Sequence, residues 1–160
     1  MPSAITFCAM SSWAEFSRTA PELAGRVRAC FERHPHHVLG TIDASGAPRL
    51  SGINVFVNDD VLWFGSMANA MKAVDLSRDP RVALHSAPLS ESLEGGDARV
   101  SGRVVPLDPA LVRRWRPETP SDGCFFEVLP ERAHLVEVVN EELVVTVWDT
   151  GRGVRIVRRQ

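Results

Sequence analysis

The sequence predicts a mainly β protein with flanking helices, in which antiparallel strands close into one barrel. Short runs of β-branched and aromatic residues recur from residue 38 to residue 158. Tight-turn signals separate these runs, among them Ala44-Ser45-Gly46 and Asn140-Glu141. Turns at such short spacing favour a closed barrel over a sandwich with free edges. The pattern leaves one alternative open, an open α+β sheet.

The N-terminal part predicts two helices ahead of the strands. Residues 1–12 are expected to form a flexible arm, and residues 13–160 one domain without repeats or linkers. The capping-box pattern Ser12-x-x-Glu15 predicts a helix start at Trp13. Pro21 suits the first turn of a second helix, where its missing donor is harmless.

The remaining elements follow from period-2 runs and helix-start signals. The predicted strands span 38–43, 48–57, 61–66, 81–86, 98–106, 124–129, 134–139, 142–148 and 154–158. Further helices are predicted over 68–78 and from Asp108-Pro109 to Trp115, and loops over 88–96 and 116–123.

Composition excludes several classes of partner. The formal net charge is −2, whereas proteins that bind nucleic acid usually carry a basic excess. No apolar run approaches the ~18 residues of a membrane span. The three cysteines are odd in number and widely separated, which argues against a disulfide framework or a zinc site. A reducing cytoplasm, with neither nucleic acid nor membrane as partner, is therefore expected.

The segment after the third predicted strand indicates an anion site. A small, polar turn there leads into a helix that carries Lys72, the sole lysine of the chain. The helix then runs through Asp79-Pro80-Arg81 into the next strand. Unpaired N–H groups and the positive dipole end of a helix attract anions, and a neighbouring ammonium group strengthens that attraction. The segment predicts a barrel that holds a phosphorylated small molecule.

Histidines cluster where the second helix meets the first strand. His34, His36 and His37 flank Pro35, but no cysteine or carboxylate partner lies nearby in sequence. We expect a solvated junction and no metal site, with metal or haem binding as the alternative. His85, at the end of the fourth predicted strand, is a candidate to face a pocket.

Four segments together resemble a known family. They are Gly46-x-Pro48-Arg49, Trp63-Phe64-Gly65-Ser66, Lys72 followed by Asp79-Pro80-Arg81-Val82, and the ending Trp148 to Arg155. The ending is similar to a W-x-P-G-x-G-x-R tail, with threonine in place of the proline. The chain thus resembles the pyridoxamine 5′-phosphate oxidase-like superfamily, which are flavin- and deazaflavin-binding split β-barrels with Greek-key antiparallel strands.

The resemblance implies a homodimer with two cofactor sites at the subunit interface. FMN is the expected cofactor and a deazaflavin coenzyme the alternative. Residues 49, 66, 71 and 72 would hold the phosphate. The full set of cofactor-binding residues implied by the resemblance is Arg49, Leu50, Ser51, Gly65, Ser66, Met67, Asn69, Met71, Lys72, Trp148 and Arg155.

One departure from the family pattern lies inside this set. Ala70-Met71 replaces the serine and arginine that usually precede the lysine, so one hydroxyl and one charge are missing. A charged hydrogen bond contributes roughly 1.5–3 kcal/mol, so the affinity for FMN could fall by tenfold or more.

Three functions remain open. The leading one is an FMN- or deazaflavin-dependent oxidoreductase of a small organic substrate, with no essential general base. The others are a non-catalytic carrier of a flavin, deazaflavin or haem, and a structural or regulatory dimer with an empty pocket.

Overall fold

The computed structural model describes residues 11–87 and 91–159, and within them an antiparallel sheet with flanking helices. The helices are α1 (Trp13–Thr19), α2 (Pro21–Glu32), α3 (Met71–Arg78) and α4 (Pro109–Trp115). The strands are β1 (His37–Ile42), β2 (Pro48–Ile53), β3 (Val55–Asn58), β4 (Val61–Met67), β5 (Arg81–His85), β6 (Asp97–Pro106), β7 (Gly123–Val139), β8 (Glu142–Asp149) and β9 (Gly153–Arg159).

The strand order explains how the sheet closes. Neighbours run β2-β1-β5-β6-β7-β4-β3, and all pairs are antiparallel. Because only Asn54 separates β2 from β3, one continuous segment forms both ends of this path and joins them into a barrel. The β8–β9 hairpin extends from the second half of β7. The predicted split-barrel fold is confirmed.

The expectation of a single strand over 48–57 is wrong. The chain leaves strand geometry at Asn54, whose side chain is exposed. Before this point the strand pairs with β1, and after it with β4. One straight strand cannot pair with β1 and with β4 in succession, so the chain bends at Asn54, where its pairing partner changes.

The expectation of two strands over 124–129 and 134–139 is also wrong, because β7 runs unbroken from Gly123 to Val139. Its register with β6 shifts at Ser101/Gly102, and Pro130 lies opposite Gly102. A Cβ atom on Gly102 would lie 2.1 Å from the carbonyl oxygen of Leu129. The bulge therefore needs glycine, and it accommodates a proline inside a long strand.

Local signals placed the starts of α1 and α4 and the hairpin turn correctly. Ser12 Oγ accepts a hydrogen bond from the Glu15 N–H at 3.1 Å, and Asp108 caps α4 in the same way. Asn140 and Glu141 both adopt positive φ angles, as a tight hairpin turn between β7 and β8 requires. These three predictions are confirmed.

The core lies between the barrel and the first two helices. Trp13 and Phe16 of α1 and Val27 and Phe31 of α2 are buried against strand residues such as Leu39. None of the helices in the described ranges is long and apolar enough to cross a membrane. Most of the predicted flexible arm, residues 1–10, lies outside the described residues, as does part of the predicted loop at 88–90.

Candidate functional site

A cavity of about 650 Å³ lies beside the junction of β2 and β3. Its border comes from four places: the junction itself, the end of β4, the start of α3, and the loop that joins α4 to β7. These segments are distant in sequence, and the barrel order brings them together. Of the residues expected to bind a cofactor, Gly65, Ser66, Met67 and Lys72 border this cavity.

Lys72 lies in the first turn of α3 and reaches across to the strand junction. Its Nζ donates a hydrogen bond to the carbonyl oxygen of Gly52 at 2.9 Å. An ammonium group has three donors, so two remain for a ligand. No side chain caps α3, whose N-cap is Ala70. The N-terminal end of this helix and Lys72 thus both present positive charge at the cavity.

The turn before α3 differs from the prediction. The helix begins at Met71 rather than at residue 68, because the Ala70 N–H bonds to the carbonyl oxygen of Met67 at 3.0 Å and closes a separate turn. Asn69 is exposed in this turn and is not the N-cap. Ser66 Oγ donates its one proton to the carbonyl oxygen of Met67 at 3.1 Å, so the hydroxyl would have to rotate away from Met67 to donate to a phosphate.

Arg49 does not border the cavity, because a buried carboxylate holds it elsewhere. Its Nε donates to Asp75 Oδ2 at 2.7 Å. Thr41 Oγ1 donates to the same oxygen at 2.9 Å, and Arg78 to Oδ1 at 3.2 Å. Burial opposes the ionisation of Asp75, but the hydrogen bonds from Arg49, Thr41 and Arg78 prevail and lower its pKa. The cluster ties α3 to β1 and β2 and so fixes where Lys72 stands.

The other residues implied by the resemblance do not border the cavity within this chain. Leu50 is 75% exposed and borders a second cavity of about 270 Å³ on the outer face of the sheet. Met71 is 55% exposed at the start of α3. Ser51, on β2, and Asn69 do not border the first cavity either.

Trp148 and Arg155, from the family-like ending, have local partners. Trp148 is only 2% exposed, and its Nε1 donates to Thr19 Oγ1 at 3.1 Å. Its ring centroid lies 4.7 Å from that of Phe16. Arg155 forms an ion pair with Asp149. In this chain Trp148 therefore belongs to the core, and Arg155 lies on the β8–β9 hairpin.

An aromatic group borders the cavity; Trp63 lies in a segment that resembles the family, whereas no sequence signal marked Phe56 and Phe125. Phe56 and Trp63 are cross-strand neighbours with ring centroids 4.7 Å apart, and Phe125 lies 6.2 Å from Trp63. Gly65 makes room for this group, since a Cβ there would come within 3.0 Å of the Phe125 ring. Arg116 stacks on Phe56, with its Cζ 4.3 Å from the ring centroid.

Two of the clustered histidines have defined partners. His37 is buried, with Nε2 2.9 Å from the carbonyl oxygen of Phe31, and its Nδ1 accepts from the Ala87 N–H at 3.1 Å. Burial lowers the pKa of His37, and the expectation of a solvated junction is wrong for it. His36 borders the cavity, with Nδ1 2.9 Å from Asn54 Oδ1.

Metal ligands do not cluster in the described part of the chain, which contains no group of three or more His, Cys, Asp or Glu able to hold a metal ion. His85 borders the smaller outer cavity rather than the larger one, and its Nε2 lies 3.3 Å from Asp97 Oδ2.

Solved structures of several bacterial proteins share this fold. PhzG from Burkholderia lata 383, in complex with tetrahydrophenazine-1-carboxylic acid, is 14% identical with a TM-score of 0.60, over 92% of this chain and 88% of that one. General stress protein 26 from Bacillus anthracis str. Sterne is 16% identical with a TM-score of 0.57, over 69% and 91%. A haem-binding protein from Mycobacterium smegmatis is 16% identical with a TM-score of 0.52, over 83% and 85%.

Sequence comparison assigns the family. No curated protein matches the chain. The family model of pyridoxamine 5′-phosphate oxidase matches residues 23–137, which include the barrel strands, α3 and the whole cavity border. Since this match spans well over half of the sequence, the protein belongs to the pyridoxamine 5′-phosphate oxidase family.

Proposed function

We propose that the protein is an FMN- or deazaflavin-dependent oxidoreductase that acts on a small organic substrate as a cytoplasmic homodimer. One observation carries the proposal. A cavity of about 650 Å³ is bordered by a cation, Lys72, by a hydroxyl, Ser66, and by an aromatic group made of Phe56, Trp63 and Phe125. Ligand sites commonly measure about 300–1,000 Å³ and combine apolar walls with a few placed polar groups.

The residues present fit a planar ring better than they fit a phosphate. Lys72 and the uncapped start of α3 offer positive charge to an anionic tail. Arg49 is held by Asp75, and Met71 has no donor, so the cradle provides one side-chain cation. We therefore expect weak binding of FMN by this chain, or use of a deazaflavin with a different tail.

Protein side chains do not carry out hydride transfer; a bound flavin or deazaflavin would supply it. The chain would hold the phosphate at Lys72 and Ser66 and keep the ring against the backbone from Gly52 to Asn54. The aromatic side chains would exclude water from the ring. This assignment needs no general base.

Exposed apolar side chains on the outer face of the sheet support a homodimer. Leu50 and Val38 expose apolar surface there, 75% and 40% respectively, around the smaller cavity. A second subunit would cover this surface. Leu50, Ser51, Met71, Trp148 and Arg155 would then act, if at all, at a site shared between the subunits.

A non-catalytic carrier of a flavin, deazaflavin or haem is the second candidate. The missing donors at positions 70 and 71 favour it, because weak retention of FMN suits a protein that binds another group. His36 is the imidazole that borders the cavity, and its Nε2 has no partner among the described residues. A structural dimer with an empty pocket is the third candidate.

Absorption of the purified protein separates these functions. A band near roughly 450 nm indicates FMN, one near roughly 420 nm a deazaflavin, and a Soret band haem. Titration with each cofactor should then give a dissociation constant. Failure to bind any of the three would overturn the proposal and leave the structural dimer.

Replacement of Lys72 tests the phosphate site. Lys72→Ala removes one charged contact worth about 1.5–3 kcal/mol, so FMN should bind at least tenfold more weakly. Arg113→Ala is the matched control, because Arg113 is an exposed cation on α4 that does not border the cavity. Equal FMN affinity for the two variants would remove Lys72 from the site.

A further inference from the structure

A second cation, Arg116, borders the cavity. Arg116 follows α4, where its N–H closes the helix by bonding to the carbonyl oxygen of Val112 at 2.8 Å. The Arg116 carbonyl oxygen accepts from the N–H and the hydroxyl of Thr119 at 3.1 and 2.7 Å. The backbone at Arg116 is thus held on both sides by hydrogen bonds.

The guanidinium group also lies over an aromatic ring. Its Cζ lies 4.3 Å from the centroid of Phe56, a geometry in which the ring face attracts the cation. Phe56 in turn packs on Trp63, which is buried. The ring contact therefore restrains the Arg116 side chain before a ligand binds, which favours affinity.

Most donors of this guanidinium are unused. One terminal nitrogen lies 3.0 Å from Glu118 Oε1, an exposed pair of the kind that contributes little to stability. The Arg116 side chain has no other hydrogen bond or ion pair within residues 11–87 and 91–159. A guanidinium has five N–H donors in a planar fork that matches a carboxylate. Glu118 partly occupies that fork and competes with an incoming anion.

The contacts of the two cations lie on either side of the bend at Asn54. Lys72 bonds to Gly52 before the bend and Arg116 lies over Phe56 after it, so at most about 13 Å of chain separates Gly52 from Phe56. An anionic cofactor tail at Lys72 would leave Arg116 for a second molecule. Phe56, Trp63 and Phe125 give the cavity an aromatic wall.

We propose that Arg116 is a substrate-binding residue and that the substrate is a planar aromatic acid. Its carboxylate would pair with the Arg116 fork, and its ring would lie against the aromatic wall of the cavity. The inference rests on the proposed function, since it names the substrate class of the same cavity.

Two probes of equal shape test the charge requirement. Calorimetry of the purified full-length protein with 2-naphthoate and 2-naphthamide should show the acid binding at least tenfold more tightly. Arg116→Gln should abolish this preference, and Arg116→Lys should retain part of it, because lysine keeps the charge but loses the fork. Arg113→Gln, three residues earlier on α4, should leave the preference unchanged.

Glu118→Gln separates binding from a merely structural role. Removal of the competing carboxylate should tighten naphthoate binding by about two- to fivefold and leave naphthamide unaffected, whereas a purely structural pair would give weaker binding of both.

The outcomes also distinguish this inference from the proposed function. Equal binding of the two probes, or binding of neither, overturns the inference even if a flavin or deazaflavin binds. The protein could instead prefer the acid through Arg116 and bind neither flavin nor deazaflavin. That result overturns the proposed oxidoreductase function and supports the inference that the cavity binds a planar aromatic acid.

Discussion

Met71→Arg should strengthen the binding of FMN by restoring the charge that the family pattern contains. Met71 is the first residue of α3, directly before Lys72, and its side chain is 55% exposed. A fully formed charged hydrogen bond contributes about 1.5–3 kcal/mol, while an exposed ion pair contributes about 0–1 kcal/mol. At a half-exposed position we expect about 1–2 kcal/mol, which corresponds to roughly five- to thirtyfold tighter binding.

The same change should slightly destabilise the free protein. A cation in the first turn of a helix opposes the helix dipole, at a cost of about 0.3–1 kcal/mol. Tighter binding with slightly lower stability would point to a local electrostatic effect of the arginine rather than to general stabilisation of the fold. Because the contact is partly exposed, the gain should also shrink as salt is added.

Calorimetric titration with FMN and with riboflavin isolates the phosphate. The gain should appear with FMN and be absent with riboflavin, which has the ring but no phosphate. Met71→Gln, similar in length but uncharged, is the matched control and should change neither affinity. An equal gain with riboflavin, or the same gain in the glutamine variant, would refute the placement of the phosphate at the start of α3.

Two further predictions concern the fold around the site. Gly102→Ala should lower the free energy of unfolding by about 1–3 kcal/mol or more in urea titrations, because its Cβ would lie 2.1 Å from the Leu129 carbonyl oxygen; an unchanged midpoint would show that the bulge tolerates a side chain. The pKa of His37 in the folded protein lies below the ordinary 6.5, so the unfolded chain takes up a proton first as the pH is lowered. The free energy of unfolding should therefore decrease as the pH falls below 6.5, by up to about 1.4 kcal/mol per pH unit, until the pH reaches the pKa of His37 in the folded protein. His37→Gln should be less stable at pH 8 and should lose that part of the pH dependence; equal slopes in the two proteins would assign it to other groups.

Local sequence signals predicted most elements of this fold, because caps, turns and strand alternation depend on residues close in the chain. The capping box at Ser12 and the turn at Asn140-Glu141 are examples. The predictions that were wrong concern segments whose conformation depends on strands distant in the sequence. The break at Asn54 arises because the two halves of one segment pair with different strands. The bulge opposite Gly102 lets β7 continue through Pro130.

The candidate site shows the same division. The sole lysine, in a short helix that follows a strand, is visible in the sequence, and its helix does border the cavity through Lys72. Nothing near Arg49 in the sequence reveals that Asp75, 26 residues later, takes up its charge. Likewise, Arg116 reaches the cavity only because α4 and its loop fold back over β3 and β4.

The sequence by itself determined the class of fold, the starts of α1, α2 and α4, the tight turns and the presence of a lysine in the helix that follows β4. The tertiary structure alone decided which cations are free to meet a ligand. Arg49 forms an ion pair with a buried carboxylate, which Arg78 shares, and does not border the cavity, whereas Arg116 keeps most of its donors beside an aromatic wall. Local conformation follows from neighbours in the chain, but the partner of a charge depends on the order of strands in the barrel, since that order sets which distant side chains come within a few ångströms of each other.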